Sequence, residues 1–212
     1  MSAKLTTTPE QVYVLVVDVC SSTAIMEDLL TSDNLERWAK LLLKMQAFLE
    51  KESGGRRFAI YKFVGDGWIL LFDIDFPPAE LFALLNRLCI EYNTEFKREI
   101  RGVLSTEVDP IGINFGFEKG HLMQMEMNGK LEFIGRAINI AARLQGAIKP
   151  DPEPQGKMLM SKPVYERVHS YIKEYRTVSV KRTLHNVSRG DKYRPVKATI
   201  WEPPHLSGDR RK

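Results

Sequence analysis

The chain has 212 residues, of which 43% are hydrophobic and 27% are charged, and its formal net charge is +4. This length predicts one domain with a sizeable core and leaves little for a second. No apolar stretch approaches the roughly 20 residues of a membrane span, and no charged-then-apolar leader is present. We therefore expect a soluble, cytoplasmic protein and not a membrane-spanning or exported one.

The first part of the chain predicts a strand followed by helix. Residues 12–19 form a continuous β-branched run, which is typical of a strand buried on both faces. Ser21 or Ser22 can cap the helix that comes next. Hydrophobic residues recur at helical spacing up to Gly54-Gly55, which end that helical stretch.

The middle of the chain predicts two hairpins and a long helix. Residues 58–72 are two apolar strands around Gly65-Asp66-Gly67, where Asp-Gly supplies the positive φ of the turn. Pro77-Pro78 opens an amphipathic helix. Two alternating strands follow within residues 111–127, and Asn128-Gly129 turns the second of them into another strand.

Residues 134–148 return to helical spacing, and residues 149–157 predict a surface loop before a short strand, a short helix and two β-rich segments. Strands and helices that alternate irregularly, with several hairpins, predict an α+β sandwich whose mixed, mainly antiparallel sheet is covered by helices. We expect a lead-in at residues 1–11, one domain at residues 12–202 and a basic tail at residues 203–212.

Both cysteines lie in apolar runs without the spacing of metal ligands. Cys20 and Cys89 are therefore predicted to be buried, reduced thiols. A reducing compartment follows from that state.

Two acidic residues each follow an apolar strand. Asp18 lies at the end of the first strand and Asp66 in the first hairpin turn. If these strands are neighbours in the sheet, the carboxylates converge and can hold a pair of hard divalent cations near a triphosphate. Alternatively, Asp18 caps a helix and Asp66 serves its turn.

Two further patterns suit a nucleotide. Asn139 and Arg143 stand four residues apart on one predicted helix, so they project from the same face. There Arg143 could neutralise charge on a phosphate and Asn139 could bind a ribose, or the pair could be a surface polar contact. The strand-to-helix junction after Asp18 offers free backbone N–H groups that favour phosphate oxygens. Its residues are Cys20, Ser21, Ser22 and Thr23.

Lys62 and Glu132 form a third candidate pair. Lys62 precedes the Gly-Asp-Gly turn, and Glu132 lies in the region of the second hairpin. Together they offer one donor and one acceptor, which is enough to read the edge of a nucleobase. The alternative is a cross-strand ion pair of small energetic value.

Taken in this order, the segments resemble the class III nucleotidyl cyclases, the family of animal adenylyl and guanylyl cyclases and many bacterial relatives. VVDVCSST is similar to the first metal-binding strand and turn of that family, YKFVGDGWILLF to the second, and IGINFGF with FIGRAINIAARLQG to its Asn and Arg helix. MLMSKPVYERV is similar to the strand and helix that follow. The resemblance spans about residues 12–181 and implies a ferredoxin-like sandwich. It also implies conversion of a nucleoside triphosphate into a 3′,5′-cyclic monophosphate and pyrophosphate.

The resemblance implies roles for the metal-binding and catalytic candidates. Asp18 and Asp66 would bind two divalent metal ions, Mn²⁺ or Mg²⁺, with help from the carbonyl of Val19. Asn139 would orient the ribose, and Arg143 would stabilise the transition state.

It also implies roles for three residues that bind the rest of the nucleotide. Lys62 corresponds to the base-reading Lys of adenylyl cyclases, and Glu132 to their base-reading Asp. Lys181 is the candidate for the phosphate-binding Lys, although the family usually has Gly after that residue and this chain has Arg182.

In this family, one protomer supplies the metal-binding acids and the other supplies the Asn, the Arg and the base readers. One chain carries both sets here, which implies a homodimer with two equivalent sites. A monomer should be inactive.

The nucleobase is harder to predict. A Lys donor and a Glu acceptor suit adenine, cytosine or uracil, whereas guanine would turn a donor toward Lys62. Trp68, Phe133 and Arg136 are bulky and favour a smaller base, or they are core packing and a surface charge. Without a sensory segment, the chain resembles the bacterial pyrimidine cyclases of phage defence (Pycsar-type), whose cyclic UMP or cyclic CMP is read by a separate effector. We expect UTP or CTP as substrate, with adenylate cyclase as the alternative.

Two other functional classes are weaker. A catalytically silent nucleotide-binding module would lack an acid or the Arg, and all of them are present. Basic residues are frequent near the C-terminus, but no basic stripe interleaved with aromatic residues is present. We therefore expect no stable nucleic-acid or membrane partner.

Overall fold

The computed structural model describes residues 5–55, 58–149, 156–188 and 193–201, and only the backbone of residues 5–10. The helices are α1 (Ser22–Thr31), α2 (Leu35–Ser53), α3 (Pro78–Glu99), α4 (Arg136–Gly146) and α5 (Lys162–Val168), followed by a 3₁₀ turn at His169–Tyr171. The strands are β1 (Leu5–Val19), β2 (Phe58–Val64), β3 (Gly67–Asp73), β4 (Ile113–Met127), β5 (Lys130–Ile134), β6 (Lys157–Met160), β7 (Thr177–Ser179) and β8 (Val196–Thr199).

These strands form one sheet in the order β2-β3-β1-β4-β6-β8-β7, and β5 pairs with β4. Every pairing is antiparallel except that of β4 with β6. The sequence-based prediction of an α+β fold with a mixed, mainly antiparallel sheet covered by helices is confirmed. The strands that Asp18 and Asp66 follow, β1 and β2, are not direct neighbours, because β3 lies between them. β3 begins directly after Asp66 and pairs with β1.

The sheet separates two hydrophobic layers, because side chains alternate along each strand. On β1, Tyr13, Leu15 and Val17 face the main core, to which α1, α2, α3 and α5 contribute buried residues. The intervening residues, such as Val14, face α4. One helix covers this second face, so several apolar side chains there are only half-buried.

Two predicted strand boundaries differ from the structure. β1 begins at Leu5, inside the segment predicted as a lead-in. The two strands predicted within residues 111–127 are one continuous strand, β4. The reason is that Glu118, Lys119 and Gly120 pair with β1 and carry the ladder through without a turn.

The first hairpin turn also differs from its prediction. The positive φ of 67° belongs to Gly65, before Asp66, and not to Gly67. Gly67 has a different requirement, because a Cβ there would lie 2.1 Å from the carbonyl oxygen of Val17. Its lack of a side chain lets the turn lie directly against β1.

The remaining sequence-based expectations concern the two cysteines, membrane-spanning segments, the loop at residues 149–157 and the C-terminal tail. Cys20 and Cys89 are both buried and neither forms a disulfide, and burial raises the pKa of the Cys89 thiol. Among the described residues, no helix combines the length and apolar character needed to cross a membrane. The predicted tail at residues 203–212 and most of the loop at residues 149–157 lie outside the described ranges.

Candidate active site

The ends of β1 and of the β2–β3 turn bring two carboxylates together. β1 and β3 pair antiparallel with Val17 opposite Trp68, so Asp18 lies beside the turn that carries Asp66. The close approach of Gly67 to β1, within 3.2 Å of the Asp18 Cα for an added Cβ, makes that neighbourhood tight. Both acids are half-buried. The convergence expected from the sequence is present.

The environment of Asp18 favours its protonated form. Burial, and secondly the nearby charge of Asp66, raise the pKa of Asp18 to about 6. A hydrogen bond that Gln145 Nε2 donates to Asp18 Oδ2 over 2.7 Å acts in the opposite direction. A nearby cation would stabilise the ionised form of a carboxylate in such surroundings.

The carboxylates of Asp18 and Asp66 fit hard divalent cations, because such ions prefer oxygen ligands. A contribution from the backbone carbonyl of Val19 stays a prediction. Within the described ranges, no group of three or more His, Cys, Asp or Glu side chains could hold a metal ion by itself. Mg²⁺ beside nucleotides is commonly held by one or two carboxylates together with waters and phosphate oxygens. Metal binding by Asp18 and Asp66 stays a prediction.

The junction after β1 is arranged differently from its prediction at one residue. The Cys20 N–H donates to the Gly112 carbonyl at 2.9 Å, and the Cys20 thiol accepts from the Asn114 amide at 3.1 Å. The expectation of a free N–H is therefore wrong at Cys20. Ser21 is the N-cap of α1 with φ of 56° and makes no side-chain cap.

The first turn of α1 keeps the geometry that was predicted for phosphate contact. The first helical hydrogen bond is donated by Ile25 to Ser21, so the N–H groups of Ser22 and Thr23 precede it. Neither side chain is buried. Phosphate binding by Ser21, Ser22 and Thr23 stays a prediction.

Asn139 and Arg143 are displayed on the outer face of α4. The opposite face of the helix buries Ala141 and Leu144 against the sheet. Asn139 and Arg143 are both exposed, and neither has a hydrogen-bond or ion-pair partner among the residues that the structure describes. The alternative of a mutual surface contact is therefore not what the structure contains.

One helix carries both this outer face and the contact to Asp18. Gln145 follows Arg143 by two residues, which separates their directions by roughly 200° on an α-helix. Gln145 points to Asp18 whereas Arg143 points to solvent. Within one chain, Arg143 thus faces away from the side of α4 that contacts Asp18.

Lys62 and Glu132 are in direct contact. Lys62 Nζ lies 3.0 and 3.2 Å from the two carboxylate oxygens of Glu132. The Tyr61 hydroxyl donates to the same carboxylate at 2.5 Å and accepts the Phe133 N–H at 3.0 Å. β2 pairs with β3 and β5 pairs with β4, so this contact joins strands that are not neighbours.

A β-bulge explains why two consecutive residues reach one carboxylate. Side chains at Tyr61 and Lys62 would face opposite sides of a regular strand, but the register of β2 shifts between Ile60 and Lys62. The hydrogen bond from Tyr61, and then that from Lys62, hold the pKa of Glu132 below its usual value. Glu132 therefore stays an ionised acceptor with a fixed orientation.

The three bulky residues near the predicted pocket have separate environments. Trp68 is 1% exposed in the main core and donates its indole N–H to Gln46 on α2, so it faces away from Asp18. The Phe133 ring lies edge-on to the Tyr61 ring with centroids 5.0 Å apart. Arg136 is exposed. For two of these residues the structure agrees with the alternative. Trp68 is part of the core packing, and Arg136 is a surface charge.

Lys181 is exposed in the segment after β7. Its neighbour Arg182 donates to the carbonyl of Ala147, which caps the C-terminal end of α4. Lys181 is thus held near the end of α4 that carries Gln145. Its role in phosphate binding stays a prediction.

Sequence reasoning missed Gln145 and Tyr61. Gln145 carries no signal of its own, because a glutamine near a helix end is usually solvated. Tyr61 was hidden by strand alternation, which assigns it to the face opposite Lys62. Both were found only through their hydrogen bonds to predicted site residues.

Comparison with solved structures identifies the fold. No protein-family model matches the sequence, and no curated protein matches it. Among solved structures, the adenylyl cyclase CyaB from P. aeruginosa is 18% identical, with a TM-score of 0.66 over 96% of this chain and 98% of that one. The guanylyl cyclase Cya2 is 16% identical, with a TM-score of 0.62 over 93% and 96% of the two chains.

An adenylate cyclase from Trypanosoma brucei, solved in its monomeric state, is 16% identical with a TM-score of 0.61 over 96% of this chain and 91% of that one. The chain therefore has the fold of adenylyl and guanylyl cyclase catalytic domains, over nearly its whole length. Because adenylyl and guanylyl cyclases both share this fold, the fold does not select the base.

Proposed function

We propose that the protein is a class III nucleotidyl cyclase, which closes a nucleoside triphosphate into a 3′,5′-cyclic monophosphate and releases pyrophosphate. The observation that carries this proposal is the convergence of Asp18, at the end of β1, and Asp66, in the β2–β3 turn, within a cyclase-type fold. Two acids at adjacent strand ends are common, but here they occur in a fold shared with cyclases along almost the entire chain.

Each proposed role follows from the chemistry of the side chain. Asp18, Asp66 and the Val19 carbonyl would hold two divalent cations, which when bound neutralise the triphosphate and make the ribose 3′-hydroxyl more acidic. Asn139 would hydrogen-bond the ribose. Arg143 would contact the α-phosphate, where negative charge builds up during in-line attack.

The phosphate chain would be held by residues around the first turn of α1 and the end of α4. Ser21, Ser22 and Thr23 surround the N-terminus of α1, where backbone N–H groups and the helix dipole favour anions. The exposed ammonium of Lys181 would add a positive charge.

We propose that the active form is a homodimer. The geometry of α4 supports it, because Arg143 points away from the side of the helix that contacts Asp18 in the same chain. A second copy related by two-fold symmetry can bring its own Asn139 and Arg143 to Asp18 and Asp66, and it gives two equivalent sites.

The proposed substrate is a pyrimidine nucleoside triphosphate, UTP or CTP. The Lys62–Glu132 pair supplies one donor and one fixed acceptor, which match the edge of either base. The Tyr61 and Phe133 rings stand beside this pair. In the proposed site they would narrow the space for the base, which favours a pyrimidine. A role in anti-phage signalling through a separate effector is proposed with this substrate and depends on it.

Adenylate cyclase is the second candidate. Adenine also presents an acceptor and an amino donor to a Lys–Glu pair. The core position of Trp68 removes one argument for a smaller pocket.

The experiment is to incubate the purified chain with ATP, GTP, CTP and UTP separately in the presence of Mn²⁺ and to resolve the products by mass spectrometry. Cyclic UMP or cyclic CMP is expected, with cyclic AMP identifying the second candidate. Asp66→Ala should abolish turnover without lowering the melting temperature, and retained activity would remove Asp66 from the site. Binding of a triphosphate without any cyclic product would instead identify a catalytically silent nucleotide-binding module.

A further inference from the structure

Gln145 makes a hydrogen bond that none of the proposed catalytic roles uses. Its Nε2 donates to Oδ2 of Asp18 over 2.7 Å, between the C-terminal part of α4 and the end of β1. Both side chains are half-buried, so the bond is partly shielded from water. A hydrogen bond to a charged carboxylate is stronger than one between neutral groups.

The close packing of α4 on β4 creates this contact. Gly116 lies on β4 opposite Val16, two residues before Asp18 on β1. A Cβ at Gly116 would lie 1.9 Å from the carbonyl oxygen of Ala141 and 2.8 Å from the Cβ of Gln145. A glycine is therefore required for α4 to come close enough for Gln145 to reach Asp18.

A neutral amide suits this position. A Lys or Arg donor would fix the carboxylate equally well, but its charge would repel a cation and satisfy Asp18 by itself. The amide holds one oxygen in place and leaves the negative charge available. Partners of this kind commonly orient carboxylates that bind metals.

We propose that Gln145 is a positioning residue, which orients the Asp18 carboxylate for a divalent cation. This inference rests on the proposed function, in which Asp18 is a cation ligand. Gln145 does not contact substrate or reacting atoms in this role. It acts through Asp18.

The test measures Mn²⁺ binding to the full chain without nucleotide, by electron paramagnetic resonance of free Mn²⁺. Gln145→Leu removes the donor, and Gln145→Asn keeps an amide that is one methylene too short to reach Asp18. We expect both variants to bind Mn²⁺ about 10- to 100-fold more weakly than the wild type. Cyclase activity, where the wild type shows it, should recover at high Mn²⁺ with an unchanged KM for the triphosphate.

The matched control is Gln46→Leu, because Gln46 bonds Trp68 on the opposite face of the sheet. It should change the melting temperature but not the Mn²⁺ affinity. If both Gln145 variants bind Mn²⁺ within about twofold of the wild type, the positioning role is overturned. It is overturned equally if the wild type binds no Mn²⁺, or if Asp18→Asn leaves Mn²⁺ binding intact.

The two proposals can fail separately. A wild type that binds Mn²⁺ through Asp18 and Gln145 but cyclises none of the four triphosphates supports the positioning role and refutes the cyclase proposal. If the wild type cyclises a triphosphate while the Gln145 variants bind Mn²⁺ normally, the cyclase proposal is supported and the positioning role is refuted.

Discussion

The ease with which an acidic residue of this site ionises depends on its contacts more than on its residue type. Asp18 has a raised pKa because it is buried beside Asp66, and Glu132 has a lowered one because Tyr61 and Lys62 donate to it. Two carboxylates of one chain therefore differ in the ease with which they ionise. The surroundings of Asp18 destabilise its ionised form, whereas two donors stabilise the ionised form of Glu132 and leave it capacity for a further donor.

The raised pKa of Asp18 predicts a pH-dependent stability. Asp18 titrates at about 6 in the folded chain, and near 3.9 in an unfolded one. The folded chain therefore binds the Asp18 proton more tightly than the unfolded chain does. As the pH rises through about 4 to 6, loss of this proton lowers the free energy of unfolding. Asp18→Asn should therefore be more stable than the wild type above about pH 6, and equally stable below about pH 4.

Melting temperatures of the chelator-treated protein across this range would measure the effect. Glu107→Gln, which removes an exposed carboxylate from a loop, controls for the loss of one negative charge. A difference between Asp18→Asn and the wild type that does not change with pH would contradict the prediction.

Tyr61 predicts an effect on base selectivity. Tyr61→Phe keeps the ring against Phe133 but removes the hydroxyl that orients Glu132. We expect kcat/KM for the preferred triphosphate to fall about 10-fold or more relative to the others, since a hydrogen bond to a charged group is lost. Steady-state kinetics with all four triphosphates would measure it.

Tyr175→Phe is the matched control, because Tyr175 packs against Phe82 in the main core, on the other side of the sheet. It should leave the ranking of the four substrates unchanged. An unchanged ranking for Tyr61→Phe as well would show that Glu132 does not need its hydroxyl partner.

At the scale of elements, glycines decide how closely the site components approach. Gly67 lets the β2–β3 turn lie on β1, and Gly116 lets α4 lie on β4. Both are positions where a Cβ would overlap backbone atoms that cannot rotate away. The spacing of the site thus depends on backbone packing between elements.

Gly67→Ala should separate the turn from β1. The added Cβ would lie 2.1 Å from the Val17 carbonyl oxygen and 3.2 Å from the Asp18 Cα. We expect a loss of about 1 to 3 kcal/mol in the free energy of unfolding, together with weaker Mn²⁺ binding. Chemical denaturation and metal titration would measure the two effects.

Gly102→Ala is the control, because nothing lies within 4 Å of its added Cβ. Its unfolding free energy should stay within about 0.5 kcal/mol of the wild type. A Gly67→Ala protein as stable as this control would mean that the turn does not press on β1.

At the scale of the whole molecule, the α4 side of the sheet is incompletely covered. Val12, Val16 and Ile69 are only partly buried there. Large hydrophobic side chains of β2 and of the β4–β5 hairpin are exposed by 44 to 54%. They are Phe63, Val64, Met123, Met127, Leu131 and Ile134. Apolar surface of this extent favours association, in agreement with the proposed homodimer.

A shared site predicts complementation between two inactive variants. Asp66→Asn should inactivate one half of each site and Arg143→Ala the other half, so each variant alone makes no product. When the two are mixed and allowed to exchange, half of the dimers are mixed and each has one intact site, so about a quarter of the wild-type activity should return.

Product formation by the mixture, with light scattering to establish dimers, would measure complementation. The double variant mixed with the wild type is the control for simple dilution. A mixture that exchanges protomers and stays inactive would contradict the shared site.

The local features of the fold could be predicted from the sequence, whereas features that depend on strand pairing could not. The sequence predicted β1, the Gly-Asp-Gly turn, α3 and α4, because hydrophobic periodicity and turn residues are local properties of the chain. The continuity of β4 was not readable, since pairing with β1 carries Glu118 to Gly120 through the ladder. The positive φ at Gly65 was misplaced because both flanking glycines permit it.

The sequence by itself determined the α+β class, most of the order of the elements and the candidate residues from Asp18 to Lys181, because residue type and spacing are properties of the chain itself. Only the tertiary structure decided which of them meet. It paired Glu132 with Tyr61 and Lys62, turned Trp68 into the core, and joined Gln145 to Asp18. The physical reason is that these contacts join residues far apart in sequence, and their geometry depends on strand order, one β-bulge and the glycines that allow close backbone packing.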